Sequence, residues 1–200
     1  MTLSLIAMTS VIGGVLSVAG AVARRSGPAW VRGAVGWYVE LFRNTPFIVQ
    51  LFFVYFGLPT LGLRLDPFAA AVMAMTLNFA AYATEMVRAG LDAVPGGQWD
   101  AGRALGLRRG VAFRRVVLPQ ALRAVFPALA SQAVITMLES SVVSQIALRD
   151  LTYEADLIQS RTFLAFETYL VVTGIYLGLS ILLRRVLGQI ADRFLGRPVL

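Results

Sequence analysis

An all-α integral membrane fold with five transmembrane helices follows from three features of the sequence. Hydrophobic residues make up 58% of the 200-residue chain and charged residues only 14%, with a mean hydropathy of +0.72, far from the composition of soluble domains. The apolar residues gather in runs of about 20, the number an α-helix needs to cross roughly 30 Å of hydrocarbon at about 1.5 Å per residue. The basic residues are all arginine and fall mostly on alternate sides of those runs.

The spans are predicted at about 2–23, 46–63, 67–87, 125–148 and 166–183. The first ends in Ala21, Val22 and Ala23, which imitate a secretory cleavage site. No basic segment precedes the run, and Arg24 and Arg25 follow it at once, so it reads as a retained helix. "TPFIVQ" opens the second span, with Thr45 expected to cap the free amides and Pro46 to fit the first turn. In the third, Asn78, Tyr82 and Glu85 form one stripe at i, i+4 and i+7, and Glu85 and Arg88 are spaced for a local ion pair. The fourth carries Glu139, Ser140, Ser141, Ser144 and Gln145. The fifth holds a G-x-x-x-G pair, Gly174 and Gly178, expected in ordinary helix packing within the subunit or across a dimer.

Segments 24–45, 88–123 and 184–200 hold fifteen of the arginines, while the opposite side keeps Arg64, Arg149 and Arg161. Arginine-rich loops stay cytoplasmic, which puts the N-terminus outside, the C-terminus inside and the long loop 88–123 in the cytoplasm. No internal repeat or low-complexity tract divides residues 1–200, which read as a single domain. Cysteine and histidine are both absent, which removes thiol chemistry and the commonest transition-metal ligands. The net charge of +7 suits anionic lipid or an acidic partner surface, with nucleic acid not expected. No G-x-x-x-x-G-K-[ST] phosphate loop is present, so neither nucleotide nor any other cofactor is expected in this chain.

The loop stretch "DAGRALGLRRGVAFRRVVLP", 100–119, places apolar residues at helical spacing on either side of Gly106 and Gly110. Two short helices around a bend are expected, stopped by Pro119. By composition alone it is an interfacial basic helix pair holding membrane lipids. The order of its residues resembles the cytoplasmic EAA loop of permease subunits in ATP-binding-cassette (ABC) importers of type I. Asp100, Ala101 and Gly102, then Gly106, then nine residues, then Val116 to Pro119 reproduce that spacing, with Asp for Glu, Gly for the second Ala and Val for Ile. Gly102 is expected to loosen its helix by about 1 kcal/mol relative to alanine.

"ELFRNTPFIVQLFFVYFGLP" and "NFAAYATEMVRAGLDAVPGGQWDA" are similar to segments of the polar amino acid importer permeases, with Asn44 where glycine is usual. "TMLESSVVSQI" resembles a further segment in which Leu138 replaces a lysine. The resemblance runs from about residue 2 to about residue 195.

It implies a permease of the bacterial inner membrane that does no chemistry itself. Its implied partners are separate ABC ATPase subunits holding Mg-ATP, a second permease copy or similar subunit, and a periplasmic or lipid-anchored solute-binding protein. The coupling surface on the ATPase is then Asp100, Ala101, Gly102, Gly106, Leu118 and Pro119, with Asp100 pairing across the interface or capping amides. Arg103, Arg108 and Arg109 are read toward the ATPase, and Arg114, Arg115 and Arg123 toward lipid phosphate. The substrate pathway is read as Glu139, Ser140, Ser141, Asn78, Tyr82 and Gln50. A mid-bilayer charge costs about 2.5–3.5 kcal/mol on insertion scales, so Glu139 is neutralised, paired or facing a wet cavity. For the serines, and equally for Gln50, interhelical packing is the competing reading, at about 1 kcal/mol per contact. A polar amino acid is the expected substrate, with opines and compatible solutes as alternatives. A membrane-embedded enzyme or a passive channel are the remaining classes.

Overall fold

The computed structural model describes residues 1–194. It is helical throughout: α1 (Thr2–Ser26), α2 (Ala29–Arg43), α3 (Phe47–Phe52), α4 (Pro67–Ala93), α5 (Gly97–Ala104), α6 (Arg109–Ala112), α7 (Leu118–Glu139), α8 (Leu151–Thr162) and α9 (Ala165–Phe194). Residues 195–200, the end of the expected cytoplasmic segment 184–200, lie outside the described residues.

Helix α4 is the hub. Pro67 starts it and the Asp66 carboxylate accepts from the amides of Phe68 (2.9 Å) and Ala69 (3.1 Å), so the open first turn is satisfied. Against it α1 lays Leu5, Thr9, Gly13, Ser17 and Ala21, all buried at a spacing of four. The approach is close: a Cβ on Gly13 would lie 2.7 Å from the Phe79 ring, and one on Gly20 2.7 Å from Thr84 Oγ1. On another side of α4, a Cβ on Gly90 would lie 2.7 Å from the Ala121 carbonyl of α7. Small residues let the backbones meet where lipid supplies no hydrophobic drive to helix association. This stripe does the close packing within the subunit, where Gly174 and Gly178 have nothing within 4 Å of a built Cβ. Among the described side chains of α9 most are exposed and Tyr176 alone is buried.

Among the described residues, four helices are long and apolar enough to cross a membrane, and a fifth is counted if a bent pair acts as one span. That pair is the chief departure from expectation. Segment 24–45, read as a loop, forms α2, whose Trp30 and Trp37 are 76% and 70% exposed and share a face seven residues apart, as aromatic residues at a membrane boundary do. The helix then turns through 111° into the segment Phe47–Leu61. Helix 46–63 is thus shorter than expected and unlike a plain span: α3 widens into a π-helical turn at Phe53–Gly57 and tightens to a 3₁₀ turn at Leu58–Leu61.

The other boundaries shift too. The third span continues past 87 to Ala93, and the fifth runs eleven residues beyond 183 to Phe194. Residues 149–165, read as loop, hold α8, capped by Asp150 accepting from the Tyr153 amide at 2.8 Å. Pro119 does not stop a helix. The chain is helical from Arg109 to Ile146, with Pro119 in the first turn of α7. The reason is a second π-helical turn, Phe113–Val117. Proline clashes with the carbonyl four residues back and offers no N–H, and a wider turn just before it relieves both. Pro59 follows the Phe53–Gly57 turn at the same distance.

Candidate functional site

The loop at 94–108 is narrower than the expected 88–123 because α4, α6 and α7 extend into it. Within it α5 ends in a closed C-terminal motif. The Gly106 amide donates to the Arg103 carbonyl (2.9 Å) and the Leu107 amide to the Gly102 carbonyl (3.0 Å), with Gly106 at φ +70°. This is the double bond of a Schellman cap, which needs a left-handed residue and favours glycine there. Gly102 is buried against Ala112 of α6, where a built Cβ would stand 3.1 Å from the Ala112 Cβ. Gly102 therefore brings the two helices of the loop together and does not itself offer surface, whereas Asp100, Ala101 and Gly106 are exposed and Leu118 and Pro119 partly so. Asp100 caps no amide. It lies inside α5 and pairs with Arg103 one turn on.

The loop is fastened to the spans by two side chains of α5. Trp99 stacks on Phe113, with ring centroids 6.3 Å apart, and packs beside Val87, Leu91, Val117 and Ala121. Gln120 Nε2 donates to the Gln98 Oε1 (3.2 Å) and to the Val116 carbonyl (3.0 Å), in the turn before α7. Above it, charges clasp α1 to α4. Arg24 donates to Glu85 at 2.5 Å, Arg88 holds Glu85 (2.9 Å) and Asp92 (2.9 Å), and Arg25 donates to the Leu91 carbonyl at 2.6 Å. The Glu85–Arg88 spacing is legible in sequence. The Arg24 arm is not, because it joins residues 61 apart.

Gln50, Asn78 and Tyr82 come together at the α2–α3 elbow. Gln50 Nε2 donates to the carbonyls of Phe42 (2.8 Å) and Thr45 (3.0 Å), while its Oε1 accepts from Asn78 at 2.9 Å. Gln50 therefore closes the bend and ties it to α4, filling its hydrogen-bonding capacity with protein. Thr45 leaves the amides of α3 uncapped and donates backward to Leu41 at 2.8 Å, because its hydroxyl is recruited into the same bend. The Tyr82 hydroxyl reaches the Arg43 carbonyl at 3.3 Å, and the Arg43 guanidinium sits 5.6 Å over the Tyr82 ring.

Glu139, Ser140 and Ser141 form a separate group where α7 tightens into a 3₁₀ turn, and no hydrogen bond joins it to the elbow among the described residues. Ser140 and Ser141 donate to the carbonyls of Met137 (2.6 Å) and Leu138 (2.7 Å), and Ser144 to that of Ser141 (2.9 Å), so these hydroxyls are committed locally. Glu139 differs: its Oε2 is buried with no partner among the described residues. Asn78 Oδ1 and the hydroxyls of Thr9, Thr76 and Thr136 share that condition. These lie on α1, α4 and α7, which pack on one another. A buried polar atom without a partner costs about 1–3 kcal/mol. Thr136 and Glu139 are one turn apart on α7, the signal that sequence reading passed over, since it took Glu139 without its helix face.

At the start of α8, Asp150 is buried and accepts from the Tyr176 hydroxyl of α9 at 3.3 Å.

Comparison with known proteins matches residues 6–196 to the family described as "Binding-protein-dependent transport system inner membrane component". The chain is 41% identical over 144 residues to the probable glutamine ABC transporter permease protein GlnM of Bacillus subtilis, covering 72% of this chain and 67% of that protein. It is 33% identical to the arginine transport system permease protein ArtQ of the same organism, covering 96% and 88%. Among solved structures, one described as an amino acid ABC transporter with histidines superposes with a TM-score of 0.85 at 36% identity, over 96% of this chain and 90% of that one.

Proposed function

The chain belongs to the family of binding-protein-dependent transport system inner membrane components, and we propose that it forms one half of the membrane pathway of an ATP-driven importer for a polar amino acid. Its type I importer fold and its relatives among amino acid permeases make it an ABC importer permease. The observation that carries the proposed mechanism is the construction of loop 94–108: a compact helix pair closed by Gly106 and riveted through Trp99 and Gln98 to the ends of α1, α4 and α7.

Such a joint moves as a unit. Pressed by ATPase subunits that bind and hydrolyse Mg-ATP, it displaces the span ends together, and the clasp from Arg24 and Arg25 to Glu85 and Asp92 carries α1 along with α4. Alternating access then arises as a shift between two packings of the spans. With this loop in the cytoplasm and the N-terminus outside the inner membrane, as the arginine distribution implies, a binding protein delivers substrate to the outer surface formed by the turn at Arg64 and the segment from Asp150 to Arg161. Residues 1–200 act as a single unit, paired with a second permease subunit. Asp100, Ala101, Gly106, Leu118 and Pro119 make the ATPase-facing surface, with Gly102 setting its shape from behind.

In the pathway Glu139 is the residue whose carboxylate has capacity to spare, and it suits the ammonium group of an amino acid. Asn78 offers Oδ1, while Gln50 and Tyr82 hold the elbow beside it. The test is reconstitution with the cognate ATPase and binding protein. Glu139→Gln is expected to lower amino acid uptake at least about tenfold, the worth of one charge-assisted hydrogen bond, with binding-protein-stimulated ATP turnover retained. Uptake at the unaltered rate removes Glu139 from the pathway. Failure of any ATPase to respond to this permease removes the coupling role.

A further inference from the structure

Among the described residues, two other than glycine hold a left-handed backbone, Ala147 at φ +58° and Phe163 at φ +59°. They stand at the two ends of one segment: Ala147 closes the 3₁₀ turn Ser140–Ile146, and Phe163 follows the last residue of α8. An L-residue is disfavoured in this region, a bulky one above all. Phe163 is 87% exposed, so packing within the subunit does not hold it there. Its amide donates to the Gln159 carbonyl at 2.9 Å, and the Ala147 amide to the Ser144 carbonyl at 3.0 Å, so each joint closes on a helix-end bond. Strain of this kind persists where the surroundings enforce it.

What enforces it is polar more than apolar. Helix α8 packs on α9 and on the Ser140–Ile146 turn, yet Ala155 is its one buried residue. Two tyrosines of α9 reach across to it. The buried Tyr176 hydroxyl donates to Asp150 at 3.3 Å and lies 3.0 Å from the Thr152 hydroxyl. With the Tyr176 proton directed to Asp150, Thr152 donates to the Tyr176 oxygen, so one phenol engages both ends of the first turn of α8. Further along, Tyr169 donates to Asp156 at 2.5 Å at an exposed site. The shielded contact at Tyr176 carries the larger share, since water competes for the other.

We propose that α8 is a strap that lifts from α9 as a unit, turning on Ala147 and Phe163, with the Tyr176 hydroxyl as its latch. Docked, the strap holds both joints in the strained conformation; lifted, both relax to right-handed or extended backbone. Latch and strain oppose each other, which brings the two positions closer in free energy. The Ser140–Ile146 turn joins the strap directly to Glu139, so a lift of α8 pulls on the backbone beside that carboxylate. Tyr176 is thereby a positioning residue for the pathway. That role rests on the reading of Glu139 as a pathway residue and of α8 as part of the outer surface.

The test follows the strap and needs no transport, so its failure is separable from failure of the importer reading. The chain has no cysteine, and Ala155→Cys places a single permease thiol beneath the docked strap of the permease–ATPase complex in lipid nanodiscs. Its modification by a charged methanethiosulfonate is followed by mass spectrometry of the permease chain. Leu157→Cys, partly buried on the same helix, repeats the measurement should Ala155→Cys disturb the docking. Tyr176→Phe and Thr152→Val are each expected to raise the rate about fivefold, with Thr152→Ser close to the starting rate. Ala147→Val and Phe163→Val, worse in the left-handed region, are expected to raise it, and Ala147→Gly and Phe163→Gly to lower it. Thiols at Ser160→Cys, exposed on α8, and at Ala83→Cys, buried on α4, are expected to keep their rates throughout. Glycine and valine moving the rate in the same direction would overturn the hinge, and an unchanged rate in Tyr176→Phe would overturn the latch. A parallel rise at Ala83→Cys, showing general loosening, would overturn both.

Discussion

Replacing Gly106 by alanine isolates the backbone geometry of the coupling loop. No atom lies within 4 Å of a Cβ built there, so the side chain itself collides with nothing. What remains is the conformation. Holding alanine at φ +70° costs about 1–2 kcal/mol, and the two cap bonds, to Arg103 and Gly102, tie that cost to the closed loop. An increase of about 1 kcal/mol raises the opening equilibrium of α5 roughly fivefold. Hydrogen exchange at Leu105 and Leu107, in the complex with its ATPase, is expected to quicken by that factor, and substrate-stimulated ATP turnover to fall with it. Gly106→Asn, which tolerates the left-handed region, is expected to recover most of the loss. Gly102→Ala should be milder, because the gain of about 1 kcal/mol in helix propensity offsets a 3.1 Å approach to Ala112. Unchanged exchange in Gly106→Ala, or Asn behaving no better than Ala, would refute the reasoning.

The remaining expectations concern the spans. Gln50→Leu strips hydrogen bonds from Asn78 and from the Phe42 and Thr45 carbonyls, and about 2–3 kcal/mol of stability should be lost in a detergent-denaturation titration. Gly20→Leu should destabilise the α1–α4 contact by about 2 kcal/mol or more, while Gly178→Leu should be near neutral in the isolated subunit, and the melting temperatures of the two report it. Asp150→Ala removes the acceptor of the Tyr153 amide and of the Tyr176 hydroxyl and should cost about 1–2 kcal/mol, with Asp150→Asn recovering part of it, as melting temperatures report.

Composition and arginine placement made the membrane class and the long apolar helices legible, because lipid leaves the backbone few alternatives to a helix. The coupling loop was legible through Gly106, whose left-handed conformation favours glycine, and through the spacing around it. Gly102 was read as a contact because it sits in the motif, yet a buried glycine and an exposed one look alike in sequence. Pro119 was read as a stop because the rule against interior proline assumes an unbroken i→i+4 ladder, and the π-helical turn before it suspends that rule. Helix α2 was missed because its apolar face meets the surroundings with two tryptophans, so no 20-residue run marks it. The pairing of Gly13 and Gly20 with Phe79 and Thr84 required knowing which helices are neighbours, and spacing within one helix cannot supply that. Gln50 shows the same limit: its polarity was visible, but not that the α2–α3 bend uses it up.

The wide turn at Phe113–Val117 also sets the phase of the helix that passes through it. Each residue of an α-helix advances about 100° around the axis, so a turn that takes up one residue more than usual displaces the two flanking segments by about that angle. On one side Ala112 meets α5 at Gly102, and on the other Ala121 meets α4 at Gly90. A single rod can face both partners only with that offset in place. Removing one residue from the turn would leave a perfect helix that points one of the two alanines at the wrong neighbour, and any thrust received by the loop would reach the span as a torque around the wrong azimuth.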